Sequence, residues 1–141
     1  MILYDVVFDI EPVAQERARV RVMVPKGGKK PFAIVYDPEK SKTFKKNLQG
    51  LIKNFNDGDW EPINQPMSLS CKIYIKRPKS VKLSVREFPE VKPDLSNYIK
   101  GIEDAMNGLV YTDDAKIVKY DDCRKLYTES FPRIEVTLYS V

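Results

Sequence analysis

The chain has 141 residues, 43% of them hydrophobic and 31% charged, with a net charge of +4, which is the size and mix of a single globular domain with a continuous core. No run of apolar residues approaches the roughly 18 that a membrane helix needs, so no membrane association is expected. Histidine is absent; this excludes Ser-His-Asp and Cys-His catalysis, histidine-based nuclease motifs and most zinc sites. Any hydrolytic chemistry would rest on carboxylates, lysines, hydroxyls or an oxygen-held cation such as Mg²⁺, Ca²⁺ or Mn²⁺.

The opening MILYDVVFDIEP is interrupted by Asp5 and Asp9 and lacks a basic leader, so it reads as a strand over about residues 1–10 and not as a signal peptide. In the next stretch Arg17, Arg19 and Arg21 alternate with Ala18, Val20 and Val22. Period two predicts a half-buried strand with an arginine row on one face. That row suits either phosphate contact or a plain solvated edge. PKGGKKP is a turn, and FAIVY after it a short strand.

Asp37-Pro38 marks a helix start, with Asp37 as N-cap. Phe44, Leu48, Leu51, Ile52 and Phe55 then form the apolar stripe of an amphipathic helix over about 38–55. Its opposite face carries Lys42, Lys46 and Lys53, with Lys45 to one side, as a solvated face or a track for a DNA backbone. Residues 1–54 hold eleven basic side chains against six acids, a surplus of five, and the remainder a deficit of one. A basic half beside an acid-bearing half suits polyanion binding next to a cation site.

MSLSCKIYIKRP reads as a strand, and KSVKLSVREFPEV as a polar connector that could lie mobile over a site. A second helix follows over about 94–107, stopped by Gly108, and AKIVKYDDCRKLY and PRIEVTLYSV close the chain as two strands. The order β-β-β-α-β-α-β-β predicts an α+β domain, a mixed sheet of five to six strands packed by two main helices. Cys71 and Cys123 lack CxxC spacing and read as buried free thiols in a reducing cytoplasm.

On the second helix Leu95, Tyr98, Ile99, Ile102 and Met106 share the face expected to meet the sheet. Asp94, Asn97, Gly101 and Asp104 cluster on the other side with Lys100 adjacent, and the glycine would leave backbone accessible there. Short carboxylates lose little entropy when fixed, which suits ligands of a hard cation. Asp94 equally fits a helix N-cap, and Asp113-Asp114 an ordinary turn. Together they point to a magnesium site beside a basic surface.

KPDLSNYIKGIEDAMNGLVYTDDAKIV resembles the signature of the RusA-type Holliday junction resolvases, endodeoxyribonucleases common in phages and prophages. PVAQERAR and YDPEKSKTFKK resemble more weakly that family's N-terminal basic and helix-opening segments. The resemblance implies a homodimer in the bacterial cytoplasm that binds four-way DNA junctions and nicks two strands symmetrically. It implies Mg²⁺, with Mn²⁺ as a substitute, and no small-molecule cofactor. Carried over by position, Asp94 and Asp114 match catalytic aspartates, Lys100 the essential lysine, and Asp113 the neighbour of Asp114. Asp104 is a further candidate ligand, and Asn97 a supporting position. Arg17, Arg19, Arg21, Lys42, Lys46 and Lys53 would contact DNA. Ser96 departs from the pattern, standing where the family commonly has a catalytic Asp. Either Asp104 or Asp113 compensates, or metal binding is weaker, or this is a branch whose site uses fewer carboxylates; the alternative function is a junction-binding protein that cleaves poorly.

Overall fold

The computed structural model describes residues 1–16, 19–36, 38–82 and 87–141. Seven strands and two helices run in the order β1 (Ile2–Phe8), β2 (Arg19–Met23), β3 (Phe32–Tyr36), α1 (Glu39–Phe55), β4 (Met67–Lys76), α2 (Leu95–Met106), β5 (Ile117–Tyr120), β6 (Arg124–Thr128) and β7 (Arg133–Ser140). The fold is α+β, with a mixed five-stranded sheet, a separate two-stranded ribbon and two helices.

β1, β7 and β4 form the antiparallel part of the sheet. The far edge of β4 pairs in parallel with β5 at Met67–Leu69 and with β6 at Lys72–Lys76. A parallel neighbour cannot be reached by a hairpin, so the chain leaves β4, crosses through α2 and returns as β5. Period two sets the faces: Tyr4, Val6 and Phe8 on β1 and Ile134, Val136 and Leu138 on β7 point inward. Phe44, Leu48 and Ile52 of α1 and Tyr98, Ile99, Ile102, Ala105 and Met106 of α2 join them in one core.

The strand expected over AKIVKYDDCRKLY divides into β5 and β6. Asp122 adopts a left-handed conformation at φ 58, the Asp121 N–H bonds the Leu69 carbonyl at 2.8 Å, and Lys72 and Arg124 ion-pair with Asp122. The residues between the two strands therefore turn out of the ladder, which is how a bulge interrupts pairing.

The strand expected to be half-buried is the ribbon β2–β3, whose turn places Gly27 and Gly28 at φ 89 and 76. Val20 and Val22 are 62% and 64% exposed, because among the described residues no other element of the chain covers that ribbon. Arg21 is exposed on it. Arg17, the side chain of Arg19, and Asp37 lie outside the described residues. α1 begins one residue later than expected, with Pro38 as its N-cap residue and no side-chain cap. Both cysteines are free; Cys71 is buried, whereas Cys123 is only half-buried.

Gly101 is buried, so the backbone expected to be open on the acidic face of α2 is closed. The segment around Val13–Gln15 crosses the helix there, and the Gln15 N–H bonds the Asn97 carbonyl at 3.0 Å. A Cβ at Gly101 would lie 3.5 Å from the Gln15 Cβ, ordinary van der Waals contact. Gly101→Ala is therefore expected to hold or raise stability, given the roughly 1 kcal/mol helix preference of Ala over Gly. Gly101→Leu should cost about 1–3 kcal/mol through overpacking; urea unfolding of the two variants checks the contrast.

Candidate active site

Asp94 is the N-cap residue of α2, but its carboxylate makes no cap hydrogen bond. It accepts a bond from Lys92 Nζ at 2.8 Å. That bond, then the charges of Lys92 and Lys125, hold the Asp94 carboxyl below its ordinary range. Lys125 Nζ donates to the carbonyls of Val91 and Pro93, both at 3.0 Å, and the Tyr127 N–H bonds the Glu87 carbonyl at 3.1 Å. The connector expected to be mobile is thus tied to β6 at its C-terminal end; its residues 83–86 lie outside the described residues.

A second acidic group forms at the other end of α2. Gly108, at φ 79, lets the chain turn at the helix end, a conformation that costs glycine little. The turn is closed by the Gly108 N–H on the Tyr111 carbonyl at 2.8 Å. Tyr111 is fully buried, and its hydroxyl donates to the Glu103 carbonyl at 2.7 Å. Next, a single 3₁₀ turn, Asp114–Lys116, starts with Asp113 accepting a bond from the Ala115 N–H at 3.0 Å. The Asp114 N–H donates to Asn107 Oδ1 at 3.2 Å. These bonds set the Asp pair against the end of the helix.

The carboxylates there sense one another. Asp114 is pushed up by a hydrogen bond with Asp113, then by partial burial and the charges of Asp113 and Asp104, with Lys100 opposing. Asp113 is held low, chiefly by the Ala115 N–H. Glu103 is raised by burial and by Asp114 and Asp104, while the Tyr120 hydroxyl and Lys100 pull it down.

Two clefts flank α2. One, about 450 Å³, is lined by Ser96, Lys100, Glu103, Tyr120 and Cys123, among others. The other, between α1 and α2, brings Lys42 and Lys45 to the same cleft as Asp104 and Gly101. Lys46 and Lys53 share the exposed face of α1 with Lys42, and Asn97 is exposed on α2.

Asp114 thus feels the charges of Asp113, Asp104 and Lys100, whereas Asp94 answers to Lys92 and Lys125 at the other end of α2. Ten helical residues separate Asp94 from Asp104, about 15 Å along the axis, and Asn107, which holds Asp114, lies further on. Among the described residues no three acidic or thiol side chains stand close enough to form a metal cage unaided. Sequence reasoning missed Glu103, Tyr120 and Asn107. Helical period could have found Glu103, which lies three residues after Lys100 and seven after Ser96 on one face.

The sequence profile described as Endodeoxyribonuclease RusA matches residues 9–139. The chain belongs to the RusA endodeoxyribonuclease family. Its class of activity is accordingly that of the RusA nucleases, internal cutting of DNA at Holliday junctions. The chain is also similar to the uncharacterized protein YqaN of Bacillus subtilis (strain 168), at 36% identity over 93% of this chain and 92% of YqaN. In this RusA-family chain no helix among the described residues is long and apolar enough to cross a membrane.

Because the Tyr120 hydroxyl favours the charged form of Glu103, Tyr120→Phe should raise the Glu103 pKa further. Asp104→Asn should lower that of Asp114 by removing a neighbouring negative charge. Carboxyl-carbon NMR titration of the two variants reads both shifts.

Proposed function

We propose that this chain is a Mg²⁺-dependent, homodimeric nuclease that resolves four-way junctions by paired, symmetric nicks in the cytoplasm of a bacterial host. The observation that carries the proposal is the family match over residues 9–139, supported by an Asp114 carboxyl that feels the charges of Asp113, Asp104 and Lys100.

The donor set fits a hard divalent cation. All its donors are oxygens, and the carboxyls of the neighbouring residues Asp113 and Asp114 shift one another's ionisation, so a cation between them would offset their repulsion. Mg²⁺ commonly uses one or two protein carboxylates and completes its shell with water and substrate phosphate, so a preformed cage of three is not required. Asp113 and Asp114 would hold it, with Asp104 beside them; Mn²⁺ fits the same ligands. When bound, the cation would supply Lewis acidity toward the phosphate and a lowered pKa for attacking water.

The protein's own groups do the rest. Lys100 places a positive charge where negative charge develops on the phosphate oxygens. Water adds to phosphorus, the bond to the 3′ oxygen breaks, and that oxygen takes up a proton, leaving 5′-phosphate and 3′-hydroxyl ends. Asp94 contributes from its separate position at the start of α2, and Asn97 supports that end of the helix. Lys42, Lys46 and Lys53 run the DNA backbone along α1, and Arg21 of the β2–β3 ribbon extends the basic surface. A junction binder that cleaves poorly is the second reading, favoured by the neutral Ser96 hydroxyl and by the lack of a three-acid cage among the described residues.

Nicking of a labelled four-way junction, with linear duplex as control and in Mg²⁺ or EDTA, separates the two. Symmetric Mg²⁺-dependent nicks confined to the junction support the nuclease; tight binding without cleavage in Mg²⁺ and Mn²⁺ supports the binder. Asp94→Asn and Asp114→Asn should each lower cleavage by about 100-fold or more, on the scale of losing a transition-state charge stabiliser, while junction binding stays within about twofold. Full cleavage by both would remove the assignment. Replacing Lys42 and Lys46 by Ala should reduce the slope of log affinity against log salt by about 0.9 per lost phosphate contact; an unchanged slope would remove the α1 track.

A further inference from the structure

We infer that the β2–β3 ribbon is an arm that lies in the major groove of duplex DNA, with the lysines of its turn on the flanking phosphates. The inference rests on the branched-DNA reading proposed above and names the element that enters the duplex.

Charge is the first argument. Residues 17–36 carry six basic side chains, Arg17, Arg19, Arg21, Lys26, Lys29 and Lys30, and no acid. The rest of the chain holds eighteen basic side chains against twenty acids, a net charge of −2. The positive excess of the protein therefore resides in this one hairpin, and attraction for a polyanion is directed there.

Shape is the second. Among the described residues β2 pairs with β3 and with no other strand. Val20, Val22, Val24 and Phe32 are each more than half exposed. A two-stranded ribbon is marginal by itself in water, so it gains from a surface that takes it up. Gly27 and Gly28 form the turn, and Lys26, Lys29 and Lys30 stand exposed around it. Paired strands lie about 4.8 Å apart. With side chains added, such a ribbon fits the major groove, about 12 Å wide, whereas the minor groove, about 6 Å, is too narrow. A second copy of the ribbon is a poor occupant, because pairing the two would gather twelve basic side chains with no acid among them.

The side chains also say what the arm reads. From Arg17 to Val35 there is no hydroxyl, amide or carboxylate, so the amino groups of adenine and cytosine find no side-chain acceptor. Valines can meet thymine methyls, and lysines and arginines the phosphates or the guanine acceptors. Such an arm holds duplex with little regard to sequence, as selection of a branched structure requires. Its root is tied to both helices. The chain enters from the segment where the Gln15 N–H bonds the Asn97 carbonyl of α2 and the Glu16 N–H donates to Ser41 Oγ of α1 at 3.2 Å.

The test uses the full chain on an immobile four-way junction in EDTA, with guanines in every arm. Dimethyl sulfate reports on guanine N7 in the major groove, and affinity is measured against salt. The wild type should protect guanines within the duplex arms. Replacing Lys26, Lys29 and Lys30 together by Ala should remove that protection and reduce the salt slope by up to about 2.7, about 0.9 for each lost phosphate contact. Guanines left open by the wild type would overturn the inference, and so would a triple variant that keeps the protection or the slope. Val20→Thr with Val22→Thr should leave sedimentation unchanged, since a wet DNA groove accommodates a hydroxyl. Dissociation of that variant into smaller species would make the ribbon a face for a second copy and overturn the inference. Adding Mg²⁺ keeps the two proposals apart: protected guanines without nicking would overturn the nuclease reading alone, and nicking without protection this inference alone.

Discussion

The parallel connection from β4 through α2 to β5 is the constraint on which the rest of the structure depends. Because β4 and β5 run the same way, the crossover must span the sheet, and α2 makes that span as a helix sealed by Tyr98, Ile99, Ile102 and Met106. Burial of that stripe leaves the helix no freedom to rotate. Its remaining faces are then fixed: one meets the segment around Val13–Gln15 at Gly101, and the other opens on a cleft bearing Ser96, Lys100 and Glu103. The same packing places the return loop, so that buried Tyr111 anchors the turn before Asp113 and Asp114. Core packing and the chemistry of the acidic cluster are thus one arrangement seen from its two sides.

Electrostatically the two ends of α2 differ. At the start, Asp94 is satisfied by lysines and held charged. At the end, Glu103 and Asp114 each feel the charge of Asp104, Asp114 also that of Asp113, with Lys100 opposing, and both Glu103 and Asp114 are raised. An excess of negative charge that is only partly solvated is unfavourable by itself. Under the proposed function it is relieved by a cation and the DNA that accompanies it. The lysines of α1 lie across the neighbouring cleft from Asp104, so attraction for the DNA backbone and the acids that would act on it are a few side chains apart.

Much of the fold was legible because hydrophobic period is a local property. The apolar stripe of α1 was readable at Phe44, Leu48 and Ile52 and that of α2 at Tyr98, Ile99, Ile102 and Met106, and β1 and β7 were readable as strands. The KPDLSNYIKG signature indicated the family that the profile match supports. Three features were not readable, each for a physical reason. The break between β5 and β6 depends on Asp122 taking a left-handed conformation stabilised by Lys72, a residue fifty positions earlier. The exposure of Val20 and Val22 depends on what fails to pack on the ribbon, which alternation cannot reveal. Closure at Gly101 depends on a segment from the far end of the chain.

The sequence by itself determined the chemistry available: no histidine, oxygen donors grouped around one helix, and lysines on another. These follow from residue type and from spacings of three and four, which need nothing beyond the helix to take effect. Only the tertiary structure decided which of those groups meet. It separated Asp94 from Asp114 by the length of α2, tied Glu103 to Tyr120 across the cleft, and set Lys42 and Lys45 opposite Asp104. Those pairings join residues distant in the chain, and their geometry is fixed by how the helices bury their apolar faces against the sheet, a property of the packed core as a whole.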